Sequence, residues 1–269
     1  MRVRLQVVAR RRLWFALSLA LVGLALAGLI FNLATTGRPL NYGVDFTGGV
    51  IADLRFERPT TVAAVREALA ERGLGEAVIR SAGPGNREFL ITMRPLEDEE
   101  RRQVLDHLRQ RVGPFDQLSL DVVTPVVGGE LRRAALLGVL LASLGMLLYI
   151  TLRFEWRFGL AAIVALLHDV FLTVGFFALF RLPVDTSFIA AVLTVFGYSI
   201  NDTIVVFDRI RENLARQRKE SLEELVDRSI NEVLARSVNT VLTTLLAIGA
   251  VYVFGGRTTR DLALALMVG

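Results

Sequence analysis

Apolar and polar residues follow two different rhythms along this chain. From Leu13 to Leu33 the sequence is uncharged and almost wholly apolar. A helix rises 1.5 Å per residue and crosses a hydrocarbon core of roughly 30 Å in about 20 residues. That run therefore predicts a membrane-spanning helix. Similar runs at Ala134–Leu152, Phe158–Phe180, Ser187–Phe207 and Val238–Phe254 predict four more. Asp261–Gly269 begins like a sixth and ends with the sequence, too short to cross, so a truncated sixth helix is expected. A secretory signal also places basic residues before an apolar centre, but that centre is usually about 7–15 residues long. The longer run here, followed by further spans, favours a retained helix.

Between Arg38 and Gly129 the rhythm shortens. Val50–Phe56 alternates as a strand does. Thr60–Arg72 reads as a helix, with Thr60 or Thr61 as N-cap and Gly73 at its stop. Ala77–Ser81 and Glu88–Met93 flank the turn signal Gly83-Pro84-Gly85-Asn86 and predict a hairpin. Glu97–Val112 is an amphipathic helix with acids in its first turn, and Leu118–Val123 is a last strand. The order β-α-β-β-α-β predicts a ferredoxin-like α+β domain, two helices over one face of a four-stranded antiparallel sheet. The expected fold is thus a membrane all-α bundle with this domain inserted after the first helix. The divisions fall at 1–37, 38–129 and 130–269.

Charge sets the expected orientation. Lys and Arg cluster on cytoplasmic loops. Arg2, Arg4 and Arg10–Arg12 precede the first run, Arg153 and Arg157 separate the second from the third, and Arg209, Arg211, Arg216, Arg218, Lys219 and Arg228 follow the fourth. Those sides agree and are expected in the cytoplasm, with residues 38–129 outside; Arg257 and Arg260 are a mild exception. Within the polar stretch Asp208–Arg236, Ser221 starts a helix well, and Leu222, Leu225, Val226, Ile230, Val233 and Leu234 share one face. Two readings stand open: an interfacial or docking helix of about 209–235, or a linker packed under the bundle.

Composition narrows the chemistry. The net charge of +4 arises from basic residues beside apolar runs, and no groove-reading or stacking motif accompanies them, so nucleic acid is not an expected partner. With no cysteine and only His107 and His168, a metal site is not expected. No nucleophile elbow or phosphate-binding loop appears, so neither an enzyme nor a cofactor is expected. The pair Gly23/Ala27 is a weak helix-contact signal.

Ionisable residues inside spanning runs carry the sharper signal, because each costs roughly 2.5–3.5 kcal/mol to insert. His168 and Asp169 lie mid-way along the third run, Asn201 and Asp202 late in the fourth, and Arg236 and Asn239 at the start of the fifth. Asp202 and Arg236 would share the inner half of the membrane. A nearby guanidinium lowers a carboxylate's pKa and desolvation raises it, so a moving Arg236 would load or release a proton. The plainer alternative is a static pair that fixes helix packing, or an arginine that reaches for the interface. For His168-Asp169 the plainer alternative is a hydrogen-bonded polar pair.

Two stretches resemble one family. Gly43-Val44-Asp45-Phe46-Thr47-Gly48-Gly49, just beyond the first run, is similar to the signature of the SecF family, as is Phe196-Gly197-Tyr198-Ser199-Ile200-Asn201-Asp202-Thr203 with its continuation to Glu212. His168-Asp169-Val170 and Arg236-Ser237-Val238-Asn239-Thr240 fit as well. The family belongs to the resistance-nodulation-division class of transporters. The resemblance implies a multi-pass subunit of the bacterial inner membrane with six helices and a periplasmic domain between the first two. It implies work with SecD beside the SecYEG channel on a translocating preprotein, driven by the proton-motive force, with YajC, YidC and membrane lipid as further neighbours. It places the functional carboxylate on Asp202 and the functional arginine on Arg236; Asn201, Thr203, His168 and Asp169 join them as an expected proton pathway. Gly48 and Gly49 are expected to allow a tight turn. A small-molecule or ion exporter of the same class is the alternative function, and a scaffold without transport a third.

Overall fold

The computed structural model describes residues 5–82, 85–153, 156–216 and 220–269. Gly83 and Pro84 of the expected turn, Arg218 and Lys219 of the polar stretch, and Arg2 and Arg4 lie outside these residues. The chain divides into two compact units, residues 1–41 with 137–269, and residues 42–136.

The smaller unit is built on alternation. Strands β1 (Gly49–Phe56), β2 (Val78–Ala82), β3 (Glu88–Met93) and β4 (Phe115–Val123) form one antiparallel sheet in the order β2-β3-β1-β4. Val50, Ala52 and Leu54 of β1 stand opposite Met93, Ile91 and Phe89 of β3, so every second residue points into the core. Among the described residues, three helices lie wholly within this unit: one-turn α2 (Val44–Thr47), α3 (Val62–Ala70) and α4 (Asp98–Arg111). Val65, Ala68 and Leu69 of α3 and Val104, Leu105 and Leu108 of α4 complete that core. Phe56 meets Phe89 and Phe115 edge-on, with ring centroids 5.7 Å and 5.3 Å away. Burying such a phenylalanine contributes roughly 1.5–3 kcal/mol. Thr61, not Thr60, caps α3, its side chain accepting from the Ala64 N–H. Strand β4 begins at Phe115, three residues before the expected Leu118, because Phe115 fills the core.

Among the described residues, five helices are long and apolar enough to cross a membrane: α1 (Arg11–Thr36), α5 (Pro125–Arg153), α6 (Trp156–Leu179), α7 (Thr186–Ala215) and α8 (Leu222–Phe254). A twelve-residue helix, α9 (Arg257–Val268), follows. In the larger unit α1 packs on α6, α6 on α7, and α7, α8 and α9 on one another. The α1–α6 contact uses Ala25 and Gly28, not the expected Gly23. A methyl added at Gly175 would lie 2.1 Å from the Ala25 Cβ, and one at Gly28 would lie 2.7 Å from Leu179 Cδ2, whereas Gly23 has nothing within 4 Å. Such close approach is how helices gain contact where no hydrophobic drive separates lipid from protein.

The polar stretch requires a correction. No separate helix covers residues 209–235. Helix α7 runs without a break to Ala215, and α8 starts at Leu222 and continues through Arg236 into the apolar run. A capping box between Ser221 and Glu224 starts α8. No glycine or proline lies between Leu222 and Phe254 except Gly249, so nothing stops the helix where its polarity changes. Helix α5 likewise begins at Pro125, nine residues before the expected Ala134.

Candidate functional site

Helix α6 brings two ionisable residues into the apolar part of the larger unit. His168 Nδ1 lies 3.1 Å from Asp169 Oδ1, and His168 Nε2 lies 2.6 Å from Ser18 Oγ on α1. On the other side, the Ser199 hydroxyl of α7 donates to Asp169 Oδ2 at 2.8 Å. A carboxylate only accepts, so Nδ1 carries the ring proton toward Asp169 and Nε2 accepts from Ser18. Thr173, one turn on, satisfies the Asp169 carbonyl at 2.9 Å. The result is a continuous chain of four polar side chains across three helices. Ser18 and Ser199 are absent from the sequence expectation. Nothing in the sequence marks a lone serine in an apolar run as facing a neighbour.

Asp202 lies three residues beyond Ser199 on α7, half-buried. It lines a cavity of about 200 Å³ between α7, α8 and α9, with Val195, Tyr198, Thr240, Thr244 and Leu266 among the other walls. Arg236 is exposed on α8, one turn before Thr240, whose hydroxyl donates to the Arg236 carbonyl at 3.0 Å. The two helices pack, as the pairing of Asp202 with Arg236 requires. Yet among the described residues no ion pair or hydrogen bond joins the two side chains. Asn201 is exposed and Thr203 half-buried. The structure thus joins His168 with Asp169, sets Asp202 at a cavity, and leaves Arg236 apart.

Below this level α7 and α8 are tied by polar groups. The buried Asn213 amide donates to Ser229 Oγ and to Glu232 Oε2, each at 2.9 Å. Arg209 donates to Glu232 at 2.6 Å, and Arg228 pairs with both Glu232 and Glu220. The polar half of α8 also holds the start of the chain. Val8 N donates to Asp227, and Arg11 pairs with Glu223 at 2.6 Å. Of the two readings of Ser221–Leu234, packing under the bundle fits this arrangement.

The smaller unit contains the glycine pair. Gly43 precedes α2, whose turn Val44-Asp45-Phe46-Thr47 ends in Gly48 at φ +75° and Gly49 at φ +153°. These are conformations that only glycine adopts without strain. A methyl at Gly48 would meet the Pro125 nitrogen at 2.9 Å, and one at Gly49 the Met93 oxygen at 2.5 Å. Arg132 donates to the Phe46 carbonyl at 3.3 Å, and a methyl at Gly128 would lie 3.1 Å from that oxygen. The expected tight turn is present, and it seats on the first turns of α5.

Comparison with known proteins gives this geometry its context. Residues 103–269 match the family described as protein export membrane protein SecD/SecF, C-terminal, and residues 34–60 match the SecD/SecF GG motif. The protein translocase subunit SecF of Sebaldella termitidis is 40% identical over 98% of this chain and 85% of its own length. The chain belongs to the SecF family. Protein translocase subunit SecDF of Thermus thermophilus is 43% identical over 94% of this chain, which spans only 34% of that longer protein. A crystal structure of Thermus thermophilus SecDF, described as a translocon-associated membrane protein, superposes with a TM-score of 0.85 at 43% identity, covering 99% of this chain and 36% of that one. The two matched segments contain the SecF-family glycine pair and His168, Asp169, Ser199, Asp202 and Arg236, while Ser18 lies outside them.

Proposed function

We propose that this chain is an auxiliary subunit of the Sec protein-export machinery that couples the proton-motive force to late translocation of preproteins, together with SecD and SecYEG. Membership of the SecF family and five membrane-capable helices support a multi-pass protein of the bacterial inner membrane. The observation that carries the proton role is Asp202, a carboxylate on an apolar helix that lines a cavity of about 200 Å³ and makes no ion pair among the described residues. A carboxyl group on a cavity wall can take up a proton and pass it on, and a cation that comes near can replace that proton as its partner. Arg236, on the helix packed against it, is our choice for that cation. One charge moved through 100 mV is worth about 2.3 kcal/mol, enough to bias a conformational equilibrium severalfold.

In this reading the N-terminus and the polar ends of α7 and α8 face the cytoplasm, and residues 38–129 form an extracytoplasmic domain. The sheet order β2-β3-β1-β4 supports a ferredoxin-like reading of that domain. The subunit is not an enzyme: it moves protons and does no covalent chemistry. The match to about a third of a single-chain SecDF supports SecD as the partner that supplies the remaining spans. YajC, YidC and membrane lipid are further neighbours in the same assembly.

The test is Asp202→Asn in the assembled complex. Gradient-driven completion of export in membrane vesicles should be lost while SecD still co-purifies. Normal gradient-driven export with this variant would remove the proton role.

A further inference from the structure

Proton movement needs a route as well as a loading site, and Asp202 has on one side a cavity and on the other, one turn back along α7, the hydroxyl of Ser199. We propose that Ser199, Asp169, His168 and Ser18 form a proton relay that leads away from Asp202 across α6 to α1, with the two serines as positioning and relay groups. The inference rests on the proton role of Asp202 argued above.

Three contacts carry it: Ser199 Oγ to Asp169 Oδ2 at 2.8 Å, Asp169 Oδ1 to His168 Nδ1 at 3.1 Å, and His168 Nε2 to Ser18 Oγ at 2.6 Å. Each group can hold a proton on one side and give one up on the other. Residues three apart on a helix are surface neighbours, with Cβ atoms about 5–6 Å apart, a gap that one water molecule spans. Protonated Asp202 gives its proton through that water to Ser199 Oγ, which passes its own hydroxyl proton to Asp169. For transfer the ring starts as the Nε2–H tautomer, reached from the Nδ1–H form described above by tautomer exchange and reversal of the Ser18 hydroxyl. Asp169 then protonates Nδ1 while Nε2 releases its proton to Ser18 Oγ, whose own proton passes to a water molecule on its far side. One proton enters and one leaves, no bond between heavy atoms changes, and the chain resets by rotation of the hydroxyls and exchange of the ring tautomer.

A static role is the natural rival, since polar side chains in membrane bundles also hold helices together. The difference lies in what each variant spares. If the serines only pack, a threonine or an alanine in their place acts alike as long as the complex assembles. If they relay, the hydroxyl itself is needed.

The experiment uses the full chain reconstituted with its SecD partner in liposomes under an imposed pH gradient, with proton entry followed by an internal pH dye. Ser199→Ala should lower proton flux at least about a hundredfold, the low end for loss of one proton-transfer group, with assembly and thermal midpoint kept. Ser199→Thr should restore the flux to within about twofold. Ser18→Ala and Ser18→Thr should repeat the pattern from the far end, so the proposal is decided even where one site does not tolerate change. His168→Gln should block flux as Ser199→Ala does. Wild-type flux in Ser199→Ala and His168→Gln, with Asp202→Asn inactive, would overturn the relay and leave the role of Asp202 intact. Threonine variants as inactive as alanine variants would also overturn it. Wild-type flux in Asp202→Asn would overturn both readings.

Discussion

Asn231 grips the backbone of Leu5 from both sides: its Oδ1 accepts from the Leu5 N–H and its Nδ2 donates to the Leu5 carbonyl, each at 2.8 Å. The side-chain amide thereby replaces the partner strand that this segment lacks. Asn231→Ala removes both hydrogen bonds to Leu5, worth about 1–3 kcal/mol together, along with one to the Asp227 carbonyl within α8. Hydrogen exchange at Leu5–Val8 should then quicken roughly tenfold, while exchange along α8 stays unchanged. Unchanged exchange at Leu5 would mean that Asp227 and Arg11 hold the segment without Asn231.

Gly49→Ala should destabilise the smaller unit more than Gly48→Ala. Both positions have positive φ, which costs about 1–3 kcal/mol for a residue with a side chain. At Gly49 the new methyl also meets the Met93 carbonyl at 2.5 Å, and that oxygen belongs to a paired strand that cannot move aside. Exchange protection of β1 and β3 in the full chain, measured for both variants, checks the order. Equal protection in the two would show that the sheet shifts to admit the methyl.

Gly175→Ala should separate α1 from α6. The added carbon falls 2.1 Å from the Ala25 Cβ, so the helices must part. Overpacking of this kind typically costs about 1–3 kcal/mol. A lower thermal midpoint in detergent is expected, together with loss of the Ser18–His168 contact, detectable as a changed histidine nitrogen resonance. An unchanged resonance would show that α1 follows α6 without parting.

The smaller unit should lose stability in acid through Glu71. Arg111 hydrogen-bonds this carboxylate and His107 lies 2.9 Å from it, and the Arg111 contact is the main cause that lowers its pKa from the ordinary 4.5. A carboxyl whose folded pKa is depressed adds stability above its unfolded pKa, and that stability is lost as pH falls through the folded value. Exchange protection of α3 and α4 should therefore fall as pH drops below about 4.5. In Glu71→Gln this part of the pH dependence should vanish. An identical acid limb in the variant would assign it to other carboxylates.

The small sheet was readable in advance because one face is buried and period-two alternation reports that directly. Val50, Ala52, Leu54 and Phe56 needed no further information. Phe115 escaped because polar Asp116 and Gln117 follow it and hide the start of β4. The second span was expected only from Ala134, where the apolar run begins, yet proline suits the first turn of a helix, and Gly128 admits the Phe46 carbonyl, so α5 starts at Pro125. The division drawn within residues 208–236 failed for another reason. A change from polar to apolar faces reports what surrounds a helix, and says nothing about where its backbone stops. At the site, His168, Asp169 and Asp202 stood out as ionisable groups in apolar runs. Ser18 and Ser199 did not, because a helical serine commonly satisfies itself on its own backbone, and only the packed helices reveal that these two do otherwise.

The unbroken length of α8 turns a local event into a distant one. Its 33 residues make a rod of about 50 Å, some 20 Å longer than a hydrocarbon core. Tilted by about 10° around its midpoint, such a rod swings its end through about 4 Å. Asn213 and Arg209 of α7 hold Glu232 near that end, and Asn231 of α8 holds Leu5, so α7 and residues 5–8 travel with it. In the proton role proposed for Asp202, α8 is thus a lever arm already attached to the cavity that Asp202 lines, and its far end moves by most of a helical turn.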